Sequence, residues 1–141
     1  MNIIERTVKE YVYVKPTNSV SEDALVSICT AIKEQIEKFV IDRDTTIIAE
    51  SGRSDGTIMF AITGEQKGEY IESHVSTDWY TPDTHEYVDG MSENETIETI
   101  QQLVEDAFFE RDIDISGEII VDDDSLSWMQ TVDRVYNRIT W

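Results

Sequence analysis

Three short groups of residues have side chains able to do chemistry. His74, Asp78 and His85 supply two imidazoles and one carboxylate, a donor set that suits a divalent transition metal in hydrolytic or oxidative chemistry. Such a site needs its ligands fixed on rigid elements, yet the spacing matches no metal motif and His85 lies in an irregular stretch. The three are therefore read as half-exposed groups in an acidic neighbourhood, and no metal or cofactor is expected. Asp122-Asp123-Asp124-Ser125, with Asp112, Asp114 and Glu118 near it in sequence, offers oxygen ligands to Mg²⁺ or Ca²⁺. A calcium loop requires alternating ligands and a glycine at a set place. The run fits a helix start better, where carboxylates meet the positive end of the dipole. Cys29, the one cysteine, falls inside an apolar helical stripe, which predicts a buried structural thiol rather than a nucleophile.

No phosphate-cradling glycine loop, nucleophile elbow, zinc-protease motif or cysteine pair is present in the sequence. Paired carboxylates for acid–base work carry no information where acids are this abundant. The expectation is a binding protein, not an enzyme.

The strongest signal is electrostatic. No Lys or Arg occurs from Gly68 to Glu110, and Arg111 is the single cation against 19 carboxylates over residues 68–133. The formal net charge is −19, and it is unevenly spread: residues 1–70 carry 12 acids and 8 bases, residues 71–141 carry 18 acids and 3 bases. Asymmetry of this kind marks an interaction face. Its field reaches over a Debye length, ~8–10 Å at ordinary salt, attracting cationic surfaces and repelling nucleic acid and anionic membrane.

Several elements must position these charges. Residues 5–15 read as a strand, with Val8, Val12 and Val14 on one face and Tyr11 and Tyr13 on the other. Ser19 or Ser21 starts a helix whose stripe is Leu25, Ile28, Cys29, Ile32, Ile36, Phe39 and Val40. Thr45–Glu50 and Thr57–Thr63 form a hairpin around Gly52 and Asp55-Gly56. A second turn at Gly64–Gly68 leads to a third strand, Glu69–Ser76. Residues 77–90 form an irregular loop with a short strand near His85–Val88. Its clustered aromatic and acidic residues suggest function. Ser92 and Glu95 make a capping box for a helix over 93–110, with Ile97, Ile100, Val104, Ala107 and Phe108 inward and Glu95, Glu98, Glu105 and Asp106 outward. No lysine at i+4 balances those acids, so the face carries a stability cost that invites a reason. Ile113–Gly117 connects to a strand at Glu118–Val121. A last helix then opens at Asp122, with Trp128, Val132, Val135, Tyr136 and Ile139 as its stripe.

The order β-α-β-β-β-(β)-α-β-α predicts one compact α+β domain over residues 1–141. It has a mainly antiparallel sheet of four to five strands, a long first helix packed on it and two helices in the second half. The absence of a secretory or membrane-spanning apolar run, and the lone cysteine, point to the cytoplasm, or to a host's cytoplasm for a protein carried by a mobile element.

In size and acidity the chain resembles nuclease immunity proteins and the anti-restriction and anti-CRISPR proteins of mobile elements. That resemblance implies an acidic inhibitor of a basic, nucleic-acid-processing protein such as a nuclease, acting without direct nucleic-acid or membrane contact and in effect as a nucleic-acid mimic. The binding residues expected from the charge pattern are Asp78, Trp79, Tyr80, Asp83, Glu86, Tyr87, Asp89, Glu95, Glu98, Glu105 and Asp106. Two alternatives stand beside this. One is capture of a small anionic ligand by Arg43, Arg53 and Lys67 with Trp79 and Tyr80. The other is a structural or assembly role in which the acidity only confers solubility.

Overall fold

The fold was analysed in a computed structural model, which describes residues 2–40, 43–71, 87–89 and 93–126. Its elements run β1 (Asn2–Val14), α1 (Glu22–Phe39), β2 (Thr46–Glu50), β3 (Ile58–Ile71), β4 (Tyr87–Asp89), α2 (Glu93–Phe109) and β5 (Ile120–Asp123). The sheet order is β2-β3-β1-β5, with β4 added to β3, and every pairing is antiparallel. This is a split β-α-β arrangement in the α+β class. None of the described helices is long and apolar enough to cross a membrane.

The core lies on one face of the sheet. Val8, Val12 and Val14 of β1 and Ile58, Phe60 and Ile62 of β3 point to it, as the alternation of a strand requires. Ile28, Ile32 and Ile36 of α1 and Ile100, Val104, Ala107 and Phe108 of α2 close over them. Phe60 and Phe108 meet edge to face, ring centroids 6.1 Å apart. Ser21 caps α1, its hydroxyl accepting from the Ala24 amide at 3.1 Å, so the later of the two predicted starts is used. Cys29 is half-buried against the core, and burial pushes its thiol pKa up, away from nucleophilic use.

Three expectations are corrected. The turn at Gly64–Gly68 is not formed: Ile58–Ile71 is one strand, paired to β1 along its length. Both partners are long and keep one inward parity, so a turn would forfeit ladder bonds on both edges of β3. Gly64 instead permits close contact, since a Cβ there would lie 2.2 Å from the Asp44 carbonyl oxygen. Asp122 and Asp123 belong to β5 and do not cap a helix. The backbone there bonds to β1, with the Asp124 amide to the Lys9 carbonyl at 2.7 Å and Leu126 to Thr7 at 3.1 Å, while the Ser125 hydroxyl accepts from the Lys9 amide. Phe39, assigned to the α1 stripe, is exposed, with the Lys38 ammonium over its ring. The expected last helix beyond Leu126 and the segment Glu72–Ser76 lie outside the described residues.

The opposite sheet face has no layer over it among the described residues. Ile48, Ala61, Tyr11 and Asp122 form one row across it, and Glu50, Met59, Tyr13 and Ile120 the next.

Candidate protein-binding surface

The second half of the chain presents its charge mainly through α2 and the connector that follows. Helix α2 buries Ile100, Val104, Ala107 and Phe108, which turns Glu95, Glu98, Glu105 and Asp106 outward, all exposed. Gln102 shares that face and donates to the Asp106 carboxylate at 2.8 Å. The predicted outer face is therefore the observed one.

Arg111 decides the electrostatics of this region. It is the single cation of residues 68–133, and it points to α1 instead of lying across the acids of the outer face. Its Nε donates to the Ser27 hydroxyl at 2.9 Å and its Nη2 to the Ser27 carbonyl at 3.2 Å; Nη1 donates to the Ala107 carbonyl at 2.8 Å. The guanidinium thus caps the negative end of α2 and ties it to α1. Glu110, at 4.0 Å, is the carboxylate it approaches. Glu98, Glu105 and Asp106 make no salt bridge among the described residues.

Beside this face is a groove of about 470 Å³, lined by Gln101, Glu105 and Phe109 of α2 and by the connector from Ile113 to Ile119. Gln101, Glu105 and Phe109 are spaced i, i+4, i+8 and so stand one above another. Phe109 is 78% exposed, the most exposed large hydrophobic residue in the described structure. It was not among the residues expected to bind, although helical period shows it: Phe108 completes the inward stripe, so its neighbour must turn out among Glu105, Asp106 and Gln102.

No family model, curated protein or solved structure is detectably similar to this chain. Geometry and charge must therefore support any functional reading.

Of the other expected binding residues, Tyr87 and Asp89 sit on β4, where they pair with Ile71 and Glu69. Asp78, Trp79, Tyr80, Asp83 and Glu86 lie outside the described residues, as do His74 and His85. Among the described residues no group of three or more His, Cys, Asp or Glu is placed to hold a metal. Asp122 and Asp123, as neighbours in a strand, point to opposite faces.

The three cations proposed for an anionic ligand are separated. Arg43 and Lys67 line one depression of about 590 Å³ together with Glu5, Glu37, Asp44 and Glu65. Arg43 is buried against Glu10, and Lys67 lies 3.8 Å from Glu5. Arg53 is elsewhere, its guanidinium 5.6 Å from the Tyr13 ring on the open sheet face. Four carboxylates share the depression with the two cations.

A buried polar cluster lies at one end of the core, on the inward parity of β1. Arg43 forms a two-pronged pair with Glu10, and Arg6 donates through Nε and Nη2 to Gln66 Oε1 at 3.0 and 2.9 Å. Burial raises the Glu10 pKa, while the bond to Arg43 pulls it down. These contacts join β1, β3 and the segment entering β2. They hold the sheet together rather than face solvent.

Proposed function

We propose that the protein is an acidic inhibitor that binds a basic, nucleic-acid-processing protein through the outer face of α2 and the connector beside it. One observation carries this reading. Glu98, Glu105 and Asp106 of α2 stand exposed with no salt bridge among the described residues, and Arg111, the single cation of residues 68–133, is engaged against α1. A self-repelling face of this sort costs the fold stability, and a cationic partner recovers that cost on binding.

From Glu95 to Asp106 the helix places four carboxylates over roughly 16 Å of axis, at 1.5 Å per residue, a mean spacing of about 5.5 Å. Duplex DNA carries one charge per ~1.7 Å and each strand one per ~3.4 Å. The array is thus sparser than even a single strand. This favours competition for part of a nucleic-acid groove over replacement of a whole duplex.

The test is capture from a lysate by the tagged protein at low and high salt. A basic nuclease or nucleic-acid-binding protein released by salt supports the reading. The triple variant Glu98→Lys, Glu105→Lys and Asp106→Lys should lose that partner while staying folded. Full retention of the partner by the folded triple variant would place the interface elsewhere.

A further inference from the structure

The acidic face has an apolar feature that charge alone does not require. Ile113, Ile115 and Ile119 are half-buried, pack against the core and form the floor of the 470 Å³ groove. Exposed Glu105, Asp114 and Glu118 stand at its rim, and Phe109 closes one end. Among the described residues no Lys or Arg lines it. Its volume falls within the ~300–1,000 Å³ of ligand clefts.

The connector that lines the groove is fixed by hydrogen bonds on two sides. The Ile113 amide donates to Phe108 at 3.1 Å, Ser116 to Lys15 at 2.7 Å and Thr17 to Asp114 at 2.9 Å. On the helix side the Gln101 side chain donates through Nε2 to the Ile119 carbonyl at 3.1 Å. The connector is thereby pinned to both α2 and the segment that ends β1.

We infer that this groove takes a basic segment of the partner in which arginine alternates with aliphatic residues. The inference rests on the reading of the α2 face as a protein-binding surface, and it names what that surface grips. An apolar floor under a carboxylate rim is complementary to a side chain that is both cationic and able to stack. Guanidinium meets this best: it pairs with carboxylate in a planar fork, and its flat, weakly hydrated face tolerates an apolar surface below. Aliphatic neighbours fill the space between the isoleucines and the Phe109 ring. A second copy of this chain brings the same −19 charge and is repelled, and so are nucleic acid and anionic membrane.

Two labelled peptides test the inference by fluorescence anisotropy at physiological salt, one alternating Arg and Leu, the other Arg and Gly. The Arg–Leu peptide should bind about tenfold tighter, the worth of roughly one buried aliphatic side chain. Phe109→Ser should abolish that preference while leaving the weaker Arg–Gly binding in place, and amide NMR shifts should fall on Gln101–Phe109 and Ile113–Ile119. Equal binding of both peptides, unaffected by Phe109→Ser but lost in the Lys triple variant, overturns the groove and leaves the acidic face standing. A leucine preference that survives Phe109→Ser, with shifts on Tyr11, Tyr13 and Ile48, overturns it in favour of the open sheet face. Binding of neither peptide, even at low salt, overturns both the groove and the inhibitor reading.

Discussion

Arg43 and Glu10 meet in the interior through two parallel hydrogen bonds, both side chains 0% exposed. Glu10 comes from the middle of β1 and Arg43 from the entry to β2, 33 residues on, where it bridges to Gln66 of β3. The pair thus links three segments at the polar end of the core. Arg43 Nε and the hydroxyl of Thr45, two residues on, have no partner among the described residues.

Breaking this pair should be costly in a pH-dependent way. Arg43→Met leaves a lone buried carboxylate and should lower unfolding free energy by about 3–5 kcal/mol near neutral pH. Burial already raises the Glu10 pKa above its ordinary value, and loss of Arg43 raises it further. In the window above that ordinary value, the native state holds a proton that the unfolded chain has lost, so stability falls as pH rises. The Arg43→Met penalty should therefore shrink on acidification. The double variant with Glu10→Leu should recover most of the loss at every pH. Urea unfolding at several pH values checks this; a pH-independent penalty would refute it.

Gly64→Ala should destabilise the fold by about 1–3 kcal/mol, the usual cost of overpacking. The added Cβ meets the Asp44 carbonyl at 2.2 Å, a backbone atom that cannot swing away, and Asp44 also bonds to Glu65 in both directions. Ser51→Ala, on an exposed residue just after β2, is the control. Thermal unfolding that ranked the two equally would show that β2 shifts freely against β3.

Phe108 and Phe109 are neighbours with opposite roles. Phe108→Ala removes a fully buried ring that meets Phe60 edge to face and should cost about 3–5 kcal/mol. Phe109→Ser, on a 78% exposed side chain, should stay within roughly 0.5 kcal/mol of the parent. Denaturant midpoints measure both, and a large loss for Phe109→Ser would mean that the ring supports the fold.

Added salt should raise the melting temperature. At net charge −19 self-repulsion opposes the compact state, and screening over ~10 Å or less weakens it. The Lys triple variant on α2 should melt higher than the parent at low salt, with the gap closing at high salt. A parent melting temperature insensitive to salt would show that the acids of the face lie too far apart to strain the fold.

Arg111→Ala should cost about 1–3 kcal/mol, because it frees the Ala107 and Ser27 carbonyls and the Ser27 hydroxyl together. Arg111→Lys should recover only part, since an ammonium cannot fork across two helices. Equal stability of Arg111→Ala and the parent in urea would remove the tie between α1 and α2.

Much of the local structure was legible in the sequence. The alternation of Val8, Val12 and Val14 against Tyr11 and Tyr13 assigned the faces of β1, and the isoleucine spacing of α1 and α2 assigned their buried stripes. The outward acids of α2 followed from the same period, because helical geometry is local and each residue's face depends only on its near neighbours. The surface charge asymmetry was likewise explicit.

What the sequence could not decide depended on residues far apart along the chain. Gly64–Gly68 reads as a turn until β1 lies alongside it and supplies ladder bonds that only an extended strand can take. Asp122-Asp123 reads as a helix start until its backbone pairs with β1 from the other side. Arg43 reads as a cation for an anionic ligand until Glu10 is brought opposite it across 33 residues, and the pairing of Arg6 with Gln66 across 60 residues has no signal in the sequence. The candidate groove has the same origin. Its acids and isoleucines are visible in the sequence, but their convergence with Phe109 exists only because β5 and α2 pack against the same core.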